Sequence, residues 1–445
     1  MSLTGTDQLL VERVRSALQP RPPSIIGVAV SGGSDSAALL HLLHDFANDE
    51  SAHGRRIALR AVTVNHGLRP EALDEARAVG QMAADLGVAH DIVDWTSWDG
   101  KGNLQDRARR ARYELMSAWA AQHGIGHIAL GHTADDQAET VLMRLGRAAG
   151  VDGLSAMSPR RRMGPVTLLR PLLAVRRAAL RAHLERRGVA WVEDPSNDNP
   201  AYARVRLRAS LAAGEAGLSV EALCTVAQNM ASVREALGWQ CFMAARTNVR
   251  IDADTVVISR RGFRTLPAEV ARRVLQEALR WVSGAEYGPR GSGLTLLLEA
   301  LRGGTAMTLH GCQIVPSGDE IRVFREYQAV AHLEAGFDGA GRALWDGRWE
   351  LHLPDGVSGE GLSLRALGEQ GAAECRACRA RAEIEAQAAG REVPPAPARP
   401  SASLAATPAV WRGAQLVSAP LAGCPEGWAA TLCRDAEAYF GGFLD

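Results

Sequence analysis

Lysine is nearly missing from this chain: Lys101 stands alone among 50 basic residues. A phosphate loop of the G-x-x-x-x-G-K-[ST] kind needs a lysine after its second glycine, so that class of nucleotide site is excluded. Cysteine is missing from residues 1–223; all seven, Cys224, Cys241, Cys312, Cys375, Cys378, Cys424 and Cys433, come later. Their odd number, without a secretory start, argues against a disulfide scaffold. Cys375-Arg376-Ala377-Cys378 has the spacing of half a zinc site, which Cys424 and Cys433 would have to complete. With no second C-x-x-C and no histidine pair, the expected reading is ordinary thiols. No apolar run reaches the length of a membrane span, and Met1 to Asp7 carries neither the basic start nor the apolar centre of a signal peptide. The expectation is a cytoplasmic protein with no membrane partner. A formal net charge of zero gives no pull toward an acidic partner, although a balanced total conceals local basic faces. Arginines crowd 107–112, 160–162, 176–187 and 204–208, and each run reads as a solvated face as readily as a phosphate contact. There are no internal repeats.

What is present suits a large α/β protein. At 445 residues, 47% of them hydrophobic, the chain has material for about two to four domains. Residues 24–195 alternate strand and helix patterns, with strands expected over 25–30, 57–64, 90–95, 127–130 and 189–192. Helices are expected over 70–86, 103–121 and 134–148, giving a parallel, doubly wound sheet with ligand sites at the carboxyl ends of its strands. Beyond about residue 212 the pattern becomes mainly helical, over 219–239, 267–282 and 294–301, then a hairpin around Ser317-Gly318-Asp319. The boundaries this suggests are 1–210, 211–328 and 329–445, the last a small α+β domain. Its proline- and alanine-rich stretch near 388–403 reads as a flexible insertion.

Ser31-Gly32-Gly33-Ser34-Asp35-Ser36 joins the first expected strand to a helix. Such a turn presents backbone N–H groups and the positive end of a helix dipole to an anion, so it reads as a phosphate loop. Serine hydroxyls add donors, and Asp35 is placed to hold a Mg²⁺ bridging phosphate oxygens. Gly131-His132-Thr133-Ala134-Asp135-Asp136-Gln137-Ala138-Glu139-Thr140 lies at a second strand end, with three carboxylates in about one helical turn. That composition suits metal binding, orientation of an ammonium group or proton transfer, beyond what helix capping asks for. Asn65-His66-Gly67 follows another strand, where a glycine admits close approach of a flat ring.

The hexapeptide resembles the pyrophosphate loop of the ATP-pyrophosphatase, or PP-loop, family, enzymes that split ATP to AMP and pyrophosphate. Further motifs follow in order: Val64-Asn65-His66-Gly67-Leu68-Arg69, Asn103 to Tyr113, Gly131 to Thr140, Arg170-Pro171-Leu172-Leu173 and Glu193-Asp194-Pro195-Ser196-Asn197. Together, over about residues 24–208, they resemble the tRNA(Ile)-lysidine synthetase family. The resemblance implies ligation of L-lysine to the wobble cytidine of an isoleucine tRNA with a CAU anticodon, using ATP and Mg²⁺, and leaves a homodimer open. It implies that Ser31, Gly32, Gly33, Ser34, Asp35, Ser36, Asn65 and His66 bind the nucleotide, that Asp35 and Asp136 share the metal, and that Asp35, His132 and Asp136 are catalytic. Arg107, Arg109, Arg112, Asp135, Glu139, Arg204 and Arg208 are its candidates for lysine or tRNA. One position departs: the family reads R-N-x-x-R where this chain has Arg204-Val205-Arg206-Leu207-Arg208, so no side-chain role transfers to Val205. Two rivals on the same fold fit less well. Thiolating enzymes use cysteine or an iron–sulfur cluster near the site, which residues 1–223 lack, and amidotransferase-type synthetases need an ammonia-producing domain. A catalytically silent tRNA-binding protein is disfavoured by the intact acidic residues.

Overall fold

Alternation along the first strand decides the layers of the first unit. Ile26, Val28 and Val30 enter one core with Leu39, Leu43 and Leu180, while Ile25 and Ala29 face a second core holding Met116, Trp119 and Ile128. A strand with helices on both faces buries both sets of its side chains, as parallel sheets do. In this computed structural model the described residues are 5–67, 71–96, 104–193, 203–212, 217–289, 291–388 and 399–444. They fall into two compact units, 1–234 and 235–445.

The first unit runs α1 (Gly5–Leu18), β1 (Ile25–Ala29), α2 (Ser34–Ala52), β2 (Ala58–Asn65), α3 (Ala72–Asp85), β3 (Ala89–Asp94), α4 (Leu104–Gln122), β4 (His127–Leu130), α5 (Ala134–Leu145), α6 (Val151–Leu154), β5 (Arg160–Met163), β6 (Val166–Leu169), α7 (Arg177–Arg186), α8 (Ala203–Ala212) and the first half of α9 (Val220–Asn248). Sheet order is β3-β2-β1-β4-β6-β5, parallel except for the edge strand β5. β1 and β4 are central neighbours, so the loops after them, at 31–33 and 131–133, open side by side. Gly27 on β1 lets the Trp119 ring lie against the sheet; a Cβ there would stand 2.9 Å from it.

The strand expected over 189–192 does not form. Val192 instead donates a single hydrogen bond to the Gly32 carbonyl (2.9 Å), which lines this segment along the phosphate loop. The missing place in the sheet goes to the hairpin β5–β6, whose arginines alternate outward along an exposed edge. Charges on an edge strand block further pairing.

The second unit continues with β7 (Val249–Asp252), β8 (Thr255–Ser259), α10 (Arg260–Thr265), α11 (Ala268–Ser283), α12 (Ser292–Arg302), β9 (Met307–Leu309), β10 (Cys312–Ser317) and β11 (Glu320–Arg325). The helices expected there are present, and with them a five-stranded antiparallel sheet, β7-β8-β11-β10-β9. Its hairpin turn is Gly318-Asp319, with Gly318 at φ +56°. Two smaller sheets follow 330, around Trp345, Trp349 and Trp428. Residues 389–398 of the expected insertion lie outside the described residues, but Ser401–Ala405 form a short helix with Ser403 buried. Cys424 lies against Cys375 (Sγ to carbonyl, 3.8 Å), and among the described residues no group of three or more His, Cys, Asp or Glu is arranged to hold a metal. Nor is any described helix long and apolar enough to cross a membrane.

His41, in the core-facing side of α2, finds no partner for either ring nitrogen, and burial pushes its pKa down to about 4. Between pH 6.5 and 4 the unfolded chain therefore takes up a proton that the folded one refuses, and stability falls with pH across that window. Above pH 6.5 the group is neutral in both states and contributes nothing. His41→Leu is expected to retain roughly 1–2 kcal/mol more stability than wild type at pH 5 while differing little in slope above pH 7. Urea unfolding at pH 7.5 and 5 checks this; parallel losses in both proteins would contradict it.

Candidate active site

The turn between β1 and α2 is held open by its own serine. Ser36 Oγ donates to the Gly33 carbonyl (3.0 Å) and accepts from the Ser31 amide (3.1 Å). Gly32 sits at φ +87°, a conformation that favours glycine. Gly33 is the N-cap of α2 and supplies no side chain, so no side chain caps the first-turn amides at the place where an oxyanion would lie. Gly131 brings the second loop against this turn: a Cβ there would stand 3.0 Å from the Asp35 backbone.

The second loop ends in a capping box. Thr133 caps α5 through the Asp136 amide, and Asp136 Oδ2 accepts from the Thr133 amide (2.9 Å) and hydroxyl (3.0 Å). That bond fixes the carboxylate so that Oδ1 remains for other partners. One α-helical turn on, Glu139 is buried, with Arg204 Nε at 2.5 Å and Arg208 Nε at 2.8 Å. Those arginines are four apart on α8, hence on one face. Val205 lies beside them, half-buried.

These residues surround a cleft of about 400 Å³. Ser31, Gly33, Ser34, Asp35 and Ser36 line one wall, His132, Asp136 and Arg208 another, and Val62, Val64, Met116 and Leu130 make its apolar side, with Arg112 at hand. Asp135 stands outside this lining, accepting from the Arg177 amide (2.7 Å) and paired with Arg176 (3.3 Å). Glu139 and Arg204 are also outside it, Arg204 reaching Asp136 Oδ1 (3.2 Å) as well as Glu139. Asn65 is spent on its own turn, accepting from the Gly67 amide and donating to Asp94 (2.8 Å). His66 packs edge-on against Trp95 and takes Arg112 donors on Nε2 (3.0 and 3.2 Å). Arg107 and Arg109 stand on α4 beyond the cleft lining, Arg109 over the Tyr113 ring at 5.4 Å. Leu68, Arg69 and residues 194–197 of the motifs lie outside the described residues.

Electrostatics separate the site's two aspartates. Burial pushes the Asp35 carboxyl up, and Arg177 only partly offsets it. Burial pushes Asp136 the same way, but Arg177, Arg204 and the Thr133 amide outweigh it and hold Asp136 below the usual range. His132 is taken down to about 4 chiefly by burial, which the pull of Asp136 only partly offsets and to which Arg170, Arg109 and Arg204 add, so its ring is neutral at pH 7. Its Nδ1 is buried without a hydrogen-bond partner.

Arg177 is the residue the sequence conceals. Read as one of a row of surface arginines on a helix, it is in fact largely buried, with Nε on Asp35 Oδ2 at 2.7 Å, one terminal nitrogen 3.3 Å from Asp136 and the other 3.9 Å from Glu139. Arg181, one turn further, reaches Ser34 Oγ (3.4 Å) and pairs with Glu193 (2.9 Å). A trace was present in the sequence: α7 has a basic residue and no acidic one in its first turn, against its dipole, and such a placement calls for carboxylates nearby.

A glycine turn offering helix amides to oxyanions, with its own Asp35 and the neighbouring loop's Asp136 lining the same cleft at the end of a parallel sheet, defines a nucleotide site of the PP-loop class, and residues 7–214 match the PP-loop domain family. The chain is 46% identical over 446 residues to the tRNA(Ile)-lysidine synthase of Ruegeria pomeroyi, covering 100% of both, and 41% identical over 327 residues to that of Hyphomonas neptunium, covering 70% of this chain and 84% of the relative. It belongs to the tRNA(Ile)-lysidine synthase family. Among solved structures, the U34-tRNA thiolase NcsA from Methanococcus maripaludis matches with a TM-score of 0.43 and 16% identity, over 51% of this chain and 78% of that one.

Proposed function

We propose that this protein ligates L-lysine to the wobble cytidine of the isoleucine tRNA with a CAU anticodon, splitting ATP to AMP and pyrophosphate through an adenylated cytidine. The observation that supports it most is that the Ser31–Ser36 turn, which carries Asp35, and the segment that carries Asp136 and an uncharged His132 line one cleft. Flat apolar surface from Val62, Val64 and Met116 accepts a base, and the open first turn of α2 accepts the pyrophosphate. The cytidine carbonyl oxygen attacks the α-phosphorus, a P–O bond to pyrophosphate breaks, and the carbonyl carbon acquires a good leaving group. The lysine ε-amine then forms a C–N bond at that carbon and AMP departs.

Asp35 and Asp136 fit a hard cation: both are carboxylates, and a single cationic group, Arg177, already touches the two of them. A Mg²⁺ held there would neutralise charge on the phosphate oxygens. His132 places no positive charge against an incoming ammonium group, and in the tautomer that carries its proton on Nε2 the unpartnered Nδ1 would accept a hydrogen bond from the amine. Arg208 borders the cleft while Glu139 fixes its Nε, which leaves its remaining N–H groups for the lysine carboxylate. Arg107, Arg109, Arg112 and Arg204 are assigned to the same substrates, tRNA phosphates included. The division into a catalytic part over 1–210 and RNA-binding parts over 211–328 and 329–445 rests on all nucleotide motifs lying before residue 209, since an RNA this large needs more surface than one cleft. We assign the reaction to the cytoplasm, in keeping with the lack of any described helix long and apolar enough to cross a membrane.

Arg208→Gln tests the lysine assignment. It is expected to raise the KM for lysine about tenfold or more, the loss of one charged hydrogen-bond partner, with little change in tRNA-dependent exchange of pyrophosphate into ATP. Loss of exchange with an unchanged lysine KM would move Arg208 to the nucleotide or the tRNA.

A further inference from the structure

We infer that Arg177 is an internal cation that holds the metal's place until nucleotide arrives, and that it is then released to the phosphates. The inference rests on the reading that Asp35 and Asp136 share a divalent cation. Arg177 lies between them, with Nε 2.7 Å from Asp35 Oδ2 and a terminal nitrogen 3.3 Å from Asp136 Oδ1, the oxygen that the capping box leaves over and that Arg204 also reaches (3.2 Å); of the two arginines only Arg177 is paired with both aspartates. Its own backbone is anchored by the Asp135 carboxylate at 2.7 Å, so the start of α7 is fixed over the site and a change of partner asks only for a rotation of the Arg177 side chain.

Without Arg177, Asp35 would stand half-buried with no cation paired to it among the described residues and Asp136 would keep only Arg204 (3.2 Å), while Glu139 retains both Arg204 and Arg208. Leaving such groups unpaired is strongly unfavourable. Arg177 meets that need, and in meeting it occupies the oxygens a metal would take. The described residues also offer no group of three or more His, Cys, Asp or Glu arranged for a metal, so a bare ion finds at most two carboxylates, both engaged. Mg²⁺ ordinarily completes its shell with waters and substrate phosphates. Metal and nucleotide must then enter together: the metal takes over the carboxylates, and the displaced guanidinium finds the phosphates held by the Ser31–Ser36 turn. Arg181, from the next turn of α7, already reaches Ser34 in that direction. The site is thereby closed to metal alone and opens to metal with ATP.

The test is Mn²⁺ binding to the full-length protein without nucleotide, followed by electron paramagnetic resonance, in wild type, Arg177→Met, Arg177→Lys and the double variant Arg177→Met with Asp35→Asn. Folding is followed by circular dichroism. Arg177→Met is expected to bind Mn²⁺ at least tenfold more tightly than wild type, and Asp35→Asn to abolish the gain. Lysine, a single point charge without the guanidinium fork, cannot bridge both carboxylates and should give a smaller gain, which serves as the reading if the methionine variant does not fold. Equal, measurable Mn²⁺ affinity in wild type and the Arg177 variants overturns the inference and leaves the metal assignment standing. No Mn²⁺ bound by any variant, with or without a non-hydrolysable ATP analogue, overturns both.

Discussion

Asp35→Ala is expected to cut lysine ligation well over a hundredfold while the protein remains folded. Asp35 sits in the first turn of α2 on the cleft wall, where its carboxylate pairs with Arg177 and lies 3.5 Å from Ser34 Oγ, and it belongs to none of the hydrophobic cores. Removing it deletes charge-neutralising capacity at the phosphates, where preorganised electrostatics contribute most to rate. Burial pushes the ionised form of this carboxyl up in energy, so the substitution also relieves a local cost and should not lower the melting temperature appreciably. Turnover within tenfold of wild type, in a variant with native circular dichroism, would remove Asp35 from the mechanism.

The order of chemistry gives the second large effect. An amine needs no adenylation; the group that does is the cytidine carbonyl. Exchange of labelled pyrophosphate into ATP should therefore require a tRNA bearing the wobble cytidine, proceed without lysine, and fall to background when that base is changed to uridine. Exchange supported by lysine alone would mean that the cleft activates an amino-acid carboxylate, and the account of His132, Asp136 and Arg208 as an amine site would fail with it.

What the sequence reveals is what is local. A strand, two glycines and a helix start are contiguous in Ile25 to Leu43, and the capping box from Thr133 to Asp136 spans four residues, so both loops can be read without knowing the fold. Their convergence follows from the pairing of β1 with β4, which the doubly wound pattern implies. Arg177 escapes because its meaning lies in contacts with Asp35 and Asp136, 142 and 41 positions away in the chain. In sequence it is one arginine of a basic row. The strand expected over 189–192 fails for a similar reason: an apolar run does not say whether a sheet edge is free to accept it. In the second unit, β7 and β8 turn through Ala253 at φ +53°, a position where glycine or asparagine is the usual marker, so the hairpin carries no turn signal.

The most direct measurement is mass spectrometry of the wobble nucleoside after incubating the full-length protein with the CAU-anticodon isoleucine tRNA, ATP and lysine. The account predicts a cytidine heavier by one condensed lysine, appearing only when ATP and lysine are both present. An unmodified cytidine beside consumed ATP, or a nucleoside carrying any group other than lysine, would contradict it.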